Sequence, residues 1–174
     1  MIEVYANLFV GSQEDEASIR GSDGWFVVHA CKEPYHRQAL GYTGRAAPKN
    51  HPEYLMARRD GRLILNLVDV DDVSFVSPLI IDAALSDIHQ NLTTKRVLVH
   101  CNQGLSRSPC IALLYLAKFT DVFGDQGYDG ALRYFQALYP PFAPAKGMAD
   151  YVWLNWIKYS SRGRIHAVDG SSGV

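Results

Sequence analysis

Two hydrophobic patterns share this 174-residue chain. Nearly continuous apolar runs occur at residues 25–30, 63–68 and 97–100, broken only by His29, Asn66 and His100, and runs without polar alternation predict strands covered on both faces. The run at 63–68 is expected to be central in the sheet. Residues 2–11 alternate enough to predict a strand or hairpin ending at Gly11, and Ser12 is placed to cap a short helix carrying Glu14, Asp15 and Glu16 in its first turn. Elsewhere apolar residues recur at helical spacing. Ser77 and Pro78 open a helix whose face is Ile81, Ala84, Leu85, Ile88 and Leu92. Pro109 opens another with Ile111, Leu114 and Tyr115, where Ala112 and Ala117 allow close packing and Cys110 is read as core. Asp129 is read as the N-cap of a helix over 131–138. Pro140, Pro141 and Pro144 force an extended crossing. A last helix, about 147–159, presents Tyr151, Trp153, Leu154, Trp156 and Ile157, all read as packing residues.

Strands alternating with helices define an α/β fold, a single domain with a central, largely parallel sheet flanked by helices. Residues 1–160 form that domain, and the polar, glycine-rich residues 161–174 are expected to be a flexible tail. Residues 32–62 break the pattern. They are rich in Gly, Pro and Tyr, carry a local charge of plus four, and suggest a short helix begun at Pro52. A connection this long is more often functional than idle, and its basic character suits either steering of a phosphorylated substrate or plain solvation.

Composition narrows the function without naming it. A net charge of −1 argues against a stable nucleic-acid partner or a membrane surface, and no apolar run is long enough to span a bilayer. The N-terminus does not resemble a signal peptide. Three irregularly spaced Cys fit reduced thiols, hence a cytoplasmic protein, better than a disulfide framework. His29 and Cys31, at the end of the 25–30 run, read as a strand-end His and a core Cys. No Cys/His spacing suggests a metal site, and no cofactor is implied.

The candidate chemistry lies in one string, His100-Cys101-Asn102-Gln103-Gly104-Leu105-Ser106-Arg107-Ser108-Pro109. An apolar strand leads in, a short polar loop follows, and Pro109 suits the first turn of a helix. Such a loop turns the backbone N–H groups of residues 102–107 inward, and the helix dipole adds positive charge, which makes an anion-binding nest. Gly104 permits the tight curl. Cys101 would be driven towards thiolate by those donors, and Arg107 can grip two phosphate oxygens at once. Ser108 can donate to the sulfur, and His100 can brace the loop from behind. A thiolate beneath an oxyanion cradle is arranged to attack phosphorus and form a cysteinyl-phosphate.

That string resembles the signature of the cysteine-dependent protein tyrosine phosphatase superfamily, and most of all its dual-specificity branch. The resemblance runs clearly over 63–157 and weakly over 1–30. It implies a dual-specificity phosphatase-like fold and metal-free hydrolysis of phosphate monoesters: phosphotyrosine, extending to phosphoserine and phosphothreonine if the pocket is shallow. Cys101 would be the nucleophile, Arg107 the clamp and an upstream Asp the acid. The family acid falls roughly thirty residues before the Cys. Asp71 lies 30 before Cys101 and is favoured, with Asp72 and Asp69 as alternatives. The Trp-Pro-Asp acid motif of the tyrosine-specific branch does not occur here. Where the branch often has Pro-Asn after the last crossing, this chain has Pro144-Ala145, so the Asn that would brace the loop is missing or supplied from elsewhere in the chain.

The partner implied is a phosphorylated protein or another phosphate monoester. A nucleotide or an RNA end suits the same chemistry. A lipid substrate is disfavoured because the Cys-to-Arg loop carries no Lys. A phospho-binding pseudophosphatase would normally lack the Cys, the Arg or the acid. Arsenate reduction would need Cys31 or Cys110 close to Cys101. The sequence leaves the oligomeric state open.

Overall fold

The computed structural model describes residues 1–160, so the expected tail at 161–174 lies outside the described residues. Six strands form one sheet in the order β1-β2-β6-β3-β5-β4: β1 (Ile2–Tyr5), β2 (Leu8–Gly11), β3 (Trp25–His29), β4 (Met56–Arg59), β5 (Arg62–Leu65) and β6 (Arg96–His100). β2, β6, β3 and β5 run parallel, while the hairpin partners β1 and β4 add an antiparallel strand at each edge. The middle of the sheet is therefore β6–β3. β5, expected to be central, stands one place out, because an apolar run reports two covered faces rather than a place in the strand order.

Six helices complete the domain: α1 (Gln13–Ile19), α2 (Arg37–Leu40), α3 (Pro78–Asn91), α4 (Arg107–Phe119), α5 (Tyr128–Leu138) and α6 (Lys146–Ser160). Ser12 caps α1 through a reciprocal bond pattern with Asp15. α4 is apolar on nearly every side and packs against β6, α3, α5 and α6, with Ile111, Leu113, Leu114 and Leu116 fully buried. Each such side chain contributes about 1.5–3 kcal/mol by leaving water. α4 is thus the pillar of the main core.

Strand alternation gives the sheet two chemically different faces. Val97, Val99, Phe26 and Val28 join the main core, and Cys101 extends that face beyond β6. Leu98, Val27 and, one step further, His100 and His29 belong to the opposite face and are buried there.

Three local expectations need correction. No helix begins at Pro52; residues 56–65 form the β4–β5 hairpin instead, turned at Asp60-Gly61. That dipeptide between two strand-like segments was the available signal. α5 starts earlier than expected, with Gly127 at the N-cap and Asp129 inside the first turn. On α6, Tyr151 and Trp156 are buried as expected, but Trp153, Leu154 and Ile157 are 62%, 59% and 79% exposed. An aromatic stripe broader than the face it packs on leaves its outer members in solvent.

Candidate active site

β6 delivers Cys101 to the C-terminal edge of the parallel strands, where residues 102–106 curl round the start of α4. Three carbonyls of the loop are tied outward: Asn102 O accepts from Gln13 N (3.2 Å), Gly104 O from the Tyr139 hydroxyl (2.9 Å) and Leu105 O from Ala143 N (2.9 Å). With the carbonyls held away, the amides are free to face inward, as an anion nest requires. Gly104 has φ +77°, and a Cβ there would come within 2.9 Å of Gly11 O and 3.0 Å of the Tyr139 hydroxyl. Only glycine satisfies both the curl and the close approach.

The Cys101 sulfur is buried, and the Ser108 hydroxyl lies 3.3 Å from it and also 3.3 Å from Gly11 O. Burial alone would raise the thiol pKa. The Ser108 hydroxyl, the amides of Ser108 and Gly104 and the charge of Arg107 outweigh it, so the pKa sits below the ordinary thiol value. Cys31 shows the opposite balance, since burial pushes it up to about 12. Cys110, fully buried, is raised as well. One thiol of the three is primed.

Arg107, buried in the first turn of α4, donates from Nη2 to Asn102 Oδ1 (2.8 Å) and from Nη1 to Leu67 O (3.2 Å). Its Nε is buried without a hydrogen bond, 3.6 Å from the Asp69 carboxylate. A buried, unspent guanidinium donor is costly unless a ligand completes it. A cavity of about 340 Å³ opens over the sulfur, lined by Cys101, Asn102, Gln103, Leu105, Ser106 and Arg107 on one side and by Asp69, Ala143, Pro144 and Ala145 on the other. A wider cleft of about 660 Å³, spanning residues 49–58, carries no Cys, Ser or Thr on its walls.

The three acidic candidates separate. Asp69 lines the cavity and accepts from Ser106 Oγ at 2.9 Å. Asp71 is exposed and lies outside the cavity lining. Asp72 is exposed and accepts from Ser74 N (2.8 Å) at the head of a short turn, Val73–Phe75, a bond that holds its pKa below the usual value. Residue spacing does not register this separation, because the chain bends at Asp71.

The bracing Asn that the sequence lacks is replaced by main chain. Ala145 N donates to Ser106 Oγ (3.0 Å), the same hydroxyl that donates to Asp69. The 32–62 segment meets the site at two points: Asn102 Nδ2 donates to Glu33 O (3.0 Å), and Lys32 N donates to Leu67 O (2.9 Å). Much of its positive charge is already paired, Arg37 with Glu33, Arg59 with Glu53 and Arg58 with Asp87. Sequence reasoning passed over Tyr139, whose hydroxyl anchors the loop, and the partnership of His29 with His100.

Among the described residues, no three His, Cys, Asp or Glu side chains gather as a metal site would need, and no helix is long and apolar enough to cross a membrane.

A parallel sheet whose middle strand ends in this Cys-centred loop, backed by a cluster of helices, is the fold of the dual-specificity phosphatases. The structure of DUSP15 matches with a TM-score of 0.56 at 17% identity, covering 91% of this chain and 89% of that one. Human DUSP28 matches at 0.54 and 18% identity over 92% and 95% of the two chains. OH1 from the Orf virus, described as a tyrosine phosphatase of triple substrate specificity, matches at 0.54 and 16% identity over 93% and 87%. No family model and no curated protein sequence matches the chain.

Proposed function

We propose that this protein hydrolyses phosphate monoesters through a cysteinyl-phosphate, acting on phosphotyrosine and also on phosphoserine and phosphothreonine. What supports this most is the pairing of a primed Cys101 sulfur with an unspent Arg107 Nε across one small cavity. Phosphate oxygens would take the inward amides of residues 102–107 and the guanidinium, which gives up its contact with Asp69 for the dianion. The Cys101 thiolate attacks phosphorus in line, and the P–O bond to the leaving group breaks. The leaving oxygen takes a proton from the Asp69 carboxyl group. Asp69, now a carboxylate, then takes a proton from water as the water oxygen attacks phosphorus. The P–S bond breaks, inorganic phosphate leaves and the thiolate returns.

This moves the acid from Asp71, the residue favoured by spacing, to Asp69, the carboxylate on the cavity wall. His100 and Ser108 keep supporting roles behind and beside the sulfur. A second reading, a phospho-binding module without turnover, draws on another fold neighbour, a human tyrosine phosphatase-like interacting protein that matches at a TM-score of 0.52 and 17% identity.

The test is hydrolysis of p-nitrophenyl phosphate and of phosphopeptides without added metal, by the wild type and by Cys101→Ser, Asp69→Asn and Asp71→Asn. Turnover that Cys101→Ser abolishes, and that Asp69→Asn lowers far more than Asp71→Asn on phosphoserine peptides, is the expected result. A wild type with a reduced thiol and no turnover, yet binding phosphopeptide, would establish the second reading instead.

A further inference from the structure

On the face of the sheet opposite Cys101, two histidines meet. His100 Nε2 lies 2.7 Å from His29 Nδ1, both residues are fully buried, and their backbones are paired neighbours on β6 and β3. The Tyr35 ring stacks on His29 with centroids 4.2 Å apart and meets His100 edge-on at 5.0 Å. The Tyr35 hydroxyl donates to Glu16 (3.2 Å), a buried carboxylate also bound by Arg20. The mechanism above uses none of these groups except His100.

At neutral pH this contact joins two uncharged rings. Burial pushes His29 down to about 2, helped by the nearby charges of Arg62 and Arg20. Burial pushes His100 down to about 4, with Arg20 acting the same way and Glu16, the Cys101 backbone and Asp15 acting against it. One proton must therefore lie between Nε2 and Nδ1, and its owner decides where each ring carries its N–H. If His100 Nε2 held it, the proton of His29 would sit on His29 Nε2, a buried nitrogen with no hydrogen-bond partner. If His29 Nδ1 holds it, the proton of His100 moves to His100 Nδ1. That nitrogen is likewise buried without a hydrogen-bond partner. Either arrangement leaves one buried N–H and one bare nitrogen without a partner, so the contact ties the two rings together: whichever tautomer one adopts, the other takes the complementary one.

We propose that His29 is a positioning residue: the hydrogen bond between its Nδ1 and His100 Nε2 fixes the ring orientation and tautomer of His100, and through His100 the main chain at Cys101. The role parallels the outer partners that orient metal-bound imidazoles, whose loss commonly costs 10–100-fold in function. It rests on Cys101 being the reactive thiol, so the test is built to succeed or fail without turnover.

Nitrogen-15 NMR of the imidazoles in the unaltered protein reads the tautomers directly. A single proton shared between His29 Nδ1 and His100 Nε2, with the two rings in complementary tautomers, is expected, and protons on both of these nitrogens, or on neither, overturn the assignment. Independently, the rate of Cys101 alkylation by iodoacetamide is followed against pH in His29→Leu and His29→Asn, with Cys31 and Cys110 buried and their modification checked by peptide mass. His29→Leu should slow alkylation at pH 6 by about tenfold while leaving the high-pH plateau intact. His29→Asn, whose amide can donate from near the position of Nδ1, should restore the rate to within about threefold of wild type. Equal loss in both variants, or a wild-type pH profile in both, overturns the proposal. Absence of phosphatase activity would sink the function proposed above and leave these readouts standing.

Discussion

Two loops face each other across the cavity, and they are built differently. The phosphate loop, residues 101–107, is tied at nearly every turn: to the start of α1 through Asn102, to Tyr139 through Gly104, to the proline crossing through Leu105 and to Ala145 through Ser106. The acidic loop between β5 and α3 is held at few places, chiefly Leu67 O, Val70 O and Asp69. A nucleophile needs a fixed cradle, whereas a proton donor must meet leaving groups of different length. The difference in bracing fits the tasks proposed above for Cys101 and Asp69.

The comparison can be broken from the rigid side first. Cys101→Ser removes the attacking sulfur and should cut kcat by at least about 10³-fold, read with p-nitrophenyl phosphate, with the fold intact by circular dichroism. Detectable turnover near the wild-type level would end the cysteinyl-phosphate account. On the looser side, Asp69→Asn should lower kcat about 10²-fold on phosphoserine peptides and much less on the aryl ester, whose leaving group needs little protonation. An equal effect on both substrates would point to a binding role for Asp69.

A subtler probe moves the acidic loop without touching a carboxylate. Gly147 N donates to Val70 O at 3.1 Å, and a Cβ on Gly147 would collide with that same carbonyl. Gly147→Ala should displace the loop and lower kcat about tenfold, as a misplacement of about 1 Å can do, with thiol alkylation unchanged. If alkylation falls too, the loops are less independent than described here. Asp71→Asn sits at the bottom of the scale, with kcat expected within about twofold of wild type.

The histidine pair gives the rigid side a pH signature. Both rings are held below their ordinary value of 6.5, at about 2 and about 4, so the unfolded chain binds more protons than the folded one below pH 6.5. Stability is full above that pH and falls as the pH drops towards 4. Thermal melts from pH 7 to 4.5 should show a falling Tm, with a shallower slope in His29→Asn. Equal slopes would mean that His29 does not titrate on unfolding.

Much of this was legible in the sequence because it depends on local pattern. The run into Cys101, the single Gly104 and the proline-opened helix specify strand, curl and helix start with no long-range information. The acidic loop was not legible in the same way. Its position depends on Gly147, seventy-six residues beyond Asp71, and on a serine in the opposing loop, so counting back from the cysteine reaches this segment without separating its three carboxylates. The His29–His100 contact was hidden for a related reason. Each histidine ends an apolar strand, and only the parallel register of β3 with β6 makes them neighbours.

The Ala145 brace has a consequence for how the chain tolerates change. An asparagine that ties a loop by its side chain can be lost to many single substitutions. Here the tie to Ser106 is a main-chain N–H, and every amino acid but proline brings one. The tie therefore survives a change of side chain at position 145, and the vulnerability has passed to the hydroxyl at the other end. Ser106 joins the proline crossing to the carboxylate at 69.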